Sequence, residues 1–267
     1  MPYLSPALNV MVAAARKAGR KLIRDFGELE NLQVSLKGPG NFVTAADQRT
    51  EQMLIEELQR VRPGYGFLAE ESGVIEGPDK SHRFIIDPID GTTNFMHGIP
   101  QFALSLALER EGQIVSAVVF NPVTDEMFTA ERGHGAYLND KRLRVAARKN
   151  LADAVIATGS PHVGHDEEHH TRFRAQLRDV MAGSAAVRRF GAASLDLAFV
   201  AAGRFDAYWE ESLGAWDMAA GLLLVKEAGG VVTDLSGGER MLTLGHIVAG
   251  NEHLHPQLIK LLKAAKP

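Results

Sequence analysis

The chain has 267 residues, 45% of them hydrophobic and 23% charged, with a formal net charge of −4 and a pI near 6.2. This is an ordinary globular composition, and it supplies no global positive field to recruit nucleic acid or acidic lipid. The absence of cysteine excludes thiolate nucleophiles, thiolate zinc sites and disulfides, in keeping with a reducing compartment.

Leu8, Met11, Val12, Ala15, Leu22, Ile23 and Phe26 recur at helical spacing with basic residues between them. Residues 7–26 are therefore expected to form an amphipathic helix and not a signal peptide. No apolar run is long enough to span a bilayer, and a cytoplasmic location with no membrane partner is expected. A second helix is predicted over 45–61, with Met53, Leu54, Leu58 and Val61 on one face and Pro63-Gly64 as its stop. Two short strands end in acids: "GFLAEE" at Glu70-Glu71 and "RFIIDP" at Asp87. From Phe102 to Val145, "FALSLALER", "QIVSAVVF", "EMFTAE", "GAYLN" and "KRLRVA" alternate with short turn signals and read as an antiparallel meander. Beyond 150 the pattern changes to strand "AVIATG", helix 166–182, strand "AVRRF", helix 192–202 and strand "FDAYWE". A helix at 216–228, strands "GVVTD" and "HIVAG" and a closing helix complete it. An antiparallel half followed by an alternating half predicts an α/β (α+β) fold of two layered subdomains, 1–145 and 146–267.

The chemistry concentrates in "FIIDPIDGTTNF", Phe84 to Phe95. Glu70, Glu71, Asp87 and Asp90 lie at strand ends, and Asp217 opens a long apolar helix. Gathered carboxylates raise each other's pKa unless something positive holds them, and no run of Lys or Arg interleaves with these. Divalent cations are the economical answer, and hard oxygen ligands suit Mg2+. Pro88 biases Asp87 toward an extended conformation, so Asp87, the Ile89 carbonyl and Asp90 could face one or two ions. Gly91-Thr92-Thr93 would place backbone N–H groups at a helix start, where anions bind. Cations beside an anion-binding turn imply phosphate chemistry. Each acid also has a plainer reading. Asp47 and Asp217 suit the first turn of a helix, and Glu70-Glu71 suits a solvated surface. The spacing Asp-x-x-Asp does not fit a haloacid-dehalogenase-type phosphatase, and neither a Gly-x-Ser-x-Gly elbow nor a P-loop occurs. "HVGHDEEHH", His162 to His170, reads as a solvated helix start rather than a metal cluster. Arg188-Arg189 reads equally as an ion-pairing group or a partner surface.

With these residues in view, the chain resembles the inositol monophosphatase family of metal-dependent, lithium-sensitive phosphatases. "DPIDGTTNF" and "WDMAAGLLLVKEAGG" look like its two signatures, with Glu70-Glu71 upstream, and the resemblance covers nearly the whole chain. It implies a five-layer αβαβα sandwich, with an antiparallel N-terminal sheet carrying most metal ligands and a mixed C-terminal sheet completing the site. It implies a homodimer. It assigns Glu70, Asp87 and the Ile89 carbonyl to a first Mg2+, Asp87, Asp90 and Asp217 to a second, and Glu70 to a weaker third, with Mn2+ able to substitute. Thr92, with Asp47 or Glu70, would orient the attacking water. Gly91 and Thr92 would contact the phosphate through backbone and hydroxyl, Asp90 would also touch the substrate, and Gly191, Ala192, Ala193 and Glu210 would hold the inositol ring. Lys37 matches a lysine near the site, and Glu71 adjoins it. Position 192 departs from the family's hydroxyl residue, which leaves only backbone contacts there. The expected reaction is hydrolysis of myo-inositol monophosphates. Histidinol phosphate, sugar bisphosphates and nucleotide bisphosphates are the alternative substrates, and a regulatory role toward an unidentified protein partner is the alternative of a different class.

Overall fold

The computed structural model describes residues 5–28, 34–38 and 41–266, with the side chains of 34–38 and 41–43 outside the description. Helix α1 (Pro6–Gly27) starts where the Ser5 hydroxyl accepts the Leu8 N–H and Pro6 pre-sets the first turn. It buries Leu8, Met11, Ala15, Ala18 and Leu22 along one face. A hairpin, β1 (Val34–Gly38) and β2 (Asn41–Thr44), precedes α2 (Ala45–Val61). Nothing in the apolar pattern announced this hairpin. Thr44 and Asp47 form a reciprocal capping box at the start of α2.

The first sheet has eight strands: β3 (Tyr65–Ala69), β4 (Gly73–Ile75), β5 (Asp79–Asp90), β6 (Ala103–Arg110), β7 (Gln113–Asn121), β8 (Glu126–Glu131), β9 (Gly135–Leu138) and β10 (Lys141–Arg142). They lie in the order β10-β9-β8-β7-β6-β5-β3-β4. The meander is antiparallel, but β3 runs parallel to β5, with Ala69 beside Ile86. That pairing brings Glu70 and Asp87 out at the same end of the sheet. "KRLRVA" forms a strand only at its first two residues. Beyond them the Leu143 N–H goes to Ala136 O and the Val145 N–H leaves the sheet for Ala228 O.

A short helix α3 (Thr92–Met96) follows β5. The second sheet takes all its strands from beyond residue 150: β11 (Val155–Thr158), β12 (Ala186–Arg188), β13 (Ala207–Glu211), β14 (Val231–Thr233) and β15 (His246–Gly250). Its order is β12-β11-β13-β15-β14, with β11 parallel to both neighbours and the other pairs antiparallel. The helices are α4 (Glu167–Gly183), α5 (Ala193–Ala201), α6 (Ala215–Glu227), α7 (Met241–Leu244) and α8 (Leu254–Ala264).

Five layers result. Helices α1 and α2 cover the outer face of the first sheet, α5 and α6 lie between the sheets, and α4 and α8 cover the outer face of the second. Three apolar clusters fill the gaps, and the central one joins strands of both sheets to α5 and α6. Because α6 meets sheet on both sides, its residues Met218 to Val225 are all buried, as expected of a helix apolar all round. Truncating one of these fully buried leucines, such as Leu223, costs about 2–5 kcal/mol. No described helix is long and apolar enough to cross a membrane.

Candidate metal and phosphate site

The acids converge where β3 and β5 end and α2, α5 and α6 begin. Strand β5 does not stop at Asp87; it runs on to Asp90 through a bulge. Asp87 pairs with Ser105 and Asp90 with Ala103, so β5 carries one extra residue there. Pro88, which has no N–H to give the ladder, sits in the bulge. Residues three apart on a regular strand face opposite sides. The extra residue restores a common side for Asp87 and Asp90, and the Ile89 N–H donates to Asp87 Oδ1 (2.9 Å) inside the bulge.

Asp217 arrives from the first turn of α6. Its Oδ2 accepts the Gly214 N–H (2.6 Å), and the Ser105 hydroxyl donates to the Trp216 carbonyl (3.0 Å), tying this turn to β6. One carboxylate oxygen each from Asp87, Asp90 and Asp217 lies within 4.8 Å of the others. Burial pushes all three carboxyls up, and neighbouring negative charges, Glu70 among them, add to it: Asp90 rises to about 6, Asp87 and Asp217 well above the usual carboxylate range. The Asp217 carboxyl, close beside Asp87, adds to the rise of Asp87. No Lys or Arg pairs with the three among the described residues. Three converging hard oxygens whose charge no described side chain offsets are a fitting donor set for a divalent cation.

Asp90 has a second task. Its Oδ1 accepts the Ala193 N–H (3.1 Å), and its Oδ2 accepts the Ser194 N–H (2.7 Å) and hydroxyl (2.5 Å). The acid thus anchors the start of α5 from 103 residues away, and it commits the Ala193 N–H to itself. Gly91 has φ +94°, and a Cβ there would lie 3.0 Å from Gln101 O and 3.2 Å from the Ala192 Cβ. Only glycine lets the 91–92 turn and the 191–193 turn come this close. Asn94 fixes the same junction, donating to Gln101 O and Phe190 O at 2.7 Å each.

Thr92 Oγ lies 3.3 Å from Asp47 Oδ1 and 3.1 Å from Ile89 O, and its single proton is shared between them. Asp47 keeps its capping role through Oδ2, which accepts from the Thr44 N–H (2.8 Å) and hydroxyl (2.5 Å). Asp47 thus caps α2 through one oxygen and faces Thr92 with the other. Burial, opposed by the Thr44 hydrogen bonds and reinforced by Glu70, raises its carboxyl to about 6. Glu70 is half-buried at the same sheet end. The side chain of Lys37, in β1, lies outside the described ones.

On the far side of Asp90, the Tyr208 hydroxyl donates to Glu210 Oε2. Glu210 packs over Gly159 so closely that a Cβ there would fall 1.6 Å from Oε1. Burial raises Glu210 to about 7, Asp90 adding to the rise, while Arg189 favours its charged form.

Four residues of this site escaped the sequence. Glu51, one turn beyond Asp47, accepts the Glu71 and Ser72 N–H groups (2.8 and 2.9 Å) and so holds the turn that follows Glu70. Ser194 holds Asp90. Tyr208 holds Glu210. Asp196 on α5 is fully buried with neither oxygen hydrogen-bonded; burial and then Glu210 raise it well above the usual range. Charged residues at buried positions of apolar helical patterns were the available signal for Glu51 and Asp196. The His162–His170 segment forms no metal group among the described residues; Asp166 caps α4 there by accepting the His169 N–H (2.8 Å).

A model of the inositol monophosphatase family matches residues 3–266. The inositol-1-monophosphatase of Mesorhizobium japonicum is 60% identical over 259 residues, 97% of each chain. The Nus factor SuhB of Pseudomonas aeruginosa is 44% identical over 266 residues, 99% of this chain and 98% of that one. The crystal structure of the extragenic suppressor protein suhB from Bartonella henselae superposes with a TM-score of 0.95 at 56% identity, covering 97% of this chain and 99% of that one.

Proposed function

The chain belongs to the inositol monophosphatase family of metal-dependent phosphatases, and from that premise we propose that it hydrolyses myo-inositol monophosphates with Mg2+ as the cation. The observation that carries this reading is the Asp87, Asp90 and Asp217 group, three carboxylate oxygens within 4.8 Å of one another, with no Lys or Arg paired to them among the described residues. These residues, with Glu70 and the Ile89 carbonyl, would hold the cations. Bound divalent cations supply positive charge for the phosphoryl group and acidify water.

The remaining steps belong to the chain. Thr92, with its proton drawn toward Asp47, orients the water that attacks phosphorus. Asp47 is positioned to take that proton as Thr92 takes one from the water, since a carboxyl raised to about 6 is ionised yet basic near neutrality. The Gly91-Thr92 turn receives the phosphate. Glu210 accepts hydrogen bonds from ring hydroxyls on the alcohol side. The attack is direct, without a phosphoenzyme. Residues 1–145 and 146–267 serve as two subdomains that meet at the site, and the working form is a cytoplasmic homodimer.

Phosphate release from a panel of inositol monophosphate, histidinol phosphate and a nucleotide bisphosphate, across Mg2+ concentrations and with Li+ added, tests the reading. Inositol monophosphate should be preferred, chelation should abolish turnover, and Li+ should inhibit. Full turnover in excess chelator would overturn it. A second reading rests on the relatives named Nus factor SuhB: the chain also binds other macromolecules. A variant dead in catalysis that still rescues a deletion strain would favour that role.

A further inference from the structure

The eight-stranded sheet carries a cleft at the end opposite the acids. His82 of β5 lies across from Arg110 of β6; Asp87 is five residues further along β5, about 17 Å at the rise of a strand. The cleft has a volume of about 430 Å3 and is lined by Arg62, His82, Arg110, Glu131, Arg132 and His134, with Tyr65 in its wall. Its charge is unbalanced. Three guanidiniums line it against one carboxylate, and Glu131 Oε2 already accepts the Ser5 N–H (3.3 Å) at the start of α1. Arg62 gives one N–H to the neighbouring Val61 carbonyl (3.1 Å), and Arg132 gives its Nε–H to Ile114 O (3.0 Å). Neither has a carboxylate partner among the described residues, and the Arg110 side chain has no hydrogen bond or ion pair among them. Each guanidinium carries five donors, so most of the donors in the cleft are uncommitted. Asp79 stands behind the cleft wall, bonded to His82 Nδ1 (2.9 Å), but the lining itself is net positive in a chain whose net charge is −4.

We propose that this cleft is a second anion site, separate from the catalytic one, that takes a compact polyphosphate: two or more linked phosphates, free or carried by a nucleoside. Guanidinium forks match phosphate oxygens in pairs, and three of them answer more negative charge than a single phosphate brings. The volume leaves room beyond the phosphates. The Tyr65 and His82 rings, stacked with centroids 4.5 Å apart, offer an aromatic wall beside it, which suits a base.

Calorimetric titration of the whole protein with pyrophosphate and with ADP, in chelator so that metal-dependent phosphate binding is absent, tests the proposal. At least one probe should bind with a Kd on the order of 10–100 µM, more weakly as salt rises. Binding should fall tenfold or more in Arg62→Ala/Arg110→Ala. Turnover with Mg2+ should be unchanged in that variant. Arg110→Gln, which removes no contact seen here, is the control should the double variant fold poorly, and should weaken binding several-fold by itself. Tighter ADP binding identifies the nucleotide form, and equal binding the inorganic one. No binding of either probe below about 1 mM, or binding indifferent to both variants, would overturn the site. Because the titration is read without metal or turnover, failure here would leave the phosphatase reading untouched.

Discussion

Two groups of buried acids flank Asp90, and they are built differently. On the metal side, Asp87, Asp90 and Asp217 are each gripped by backbone N–H groups from a bulge or a helix start. On the other side, among the described residues, Glu210 has only the Tyr208 hydroxyl and Asp196 has no hydrogen bond. Both groups are pushed up in pKa, burial first. The first is a rigid cage whose missing positive charge a cation can supply. The second is a surplus of acceptors with few donors, the complement of a ligand rich in hydroxyls or carrying an amine. Burial of charge is thus common to both, and the number of fixed backbone donors is what separates them.

The largest expected effect comes from breaking the cage. Asp217→Asn should lower activity by a hundredfold or more while the fold survives, because the amide oxygen can still accept the Gly214 N–H. Asp90→Asn should do worse, since one amide cannot accept all three donors of Ala193 and Ser194. It should lose stability as well, by about 1–3 kcal/mol. Phosphate release and denaturant titration separate the two. Equal stabilities would show that Asp90 does not anchor α5.

Next, Thr92→Ala should lower kcat about a hundredfold with Mg2+ affinity little changed, since Thr92 touches none of the acid trio and its loss frees the Ile89 carbonyl without removing it. An unaltered kcat would remove Thr92 from the reaction.

The acids also set a pH dependence. Their folded pKa values lie above the unfolded ones, near 6 for Asp47 and Asp90 and near 7 for Glu210. The native state therefore binds more protons than the unfolded chain, and metal-free stability should fall as pH rises from about 4 to about 7. Each two-unit rise corresponds to about 2.7 kcal/mol lost across that window. Mg2+ should offset the loss on the metal side alone. A Tm that rises with pH in chelator would contradict the arrangement.

Asp196→Asn sharpens the contrast further. It should match wild type below about pH 2, where the acid is protonated in both states, and gain stability progressively as pH rises through and above the unfolded value. A gain independent of pH would point to packing instead. The smallest effect is on selectivity. Glu210→Gln should retain part of the inositol phosphate activity but lose any advantage of histidinol phosphate, read as a several-fold change in the ratio of kcat/KM values.

Much of this was written in the local sequence. Periodicity over a few turns placed α1 and α2 within a residue or so, because each buries one face against one sheet. The alternation of short apolar runs marked the meander, and the acids of the two signatures stood out by type and spacing. What only the tertiary structure decided depends on residues far apart in the chain. Asp47 and Asp217 hold the same third position in the first turn of a helix, each bonded back to its cap. Local sequence leaves two readings of each open. Packing sets what the free oxygen faces, because α2 starts beside Thr92 and α6 starts beside Asp87. The common face of Asp87 and Asp90 comes from a bulge that exists only against β6, and the partners of Asp90 lie more than a hundred residues away. A side chain's hydrogen-bond preference is local and readable, but the charges and donors brought against it are set by how the layers stack.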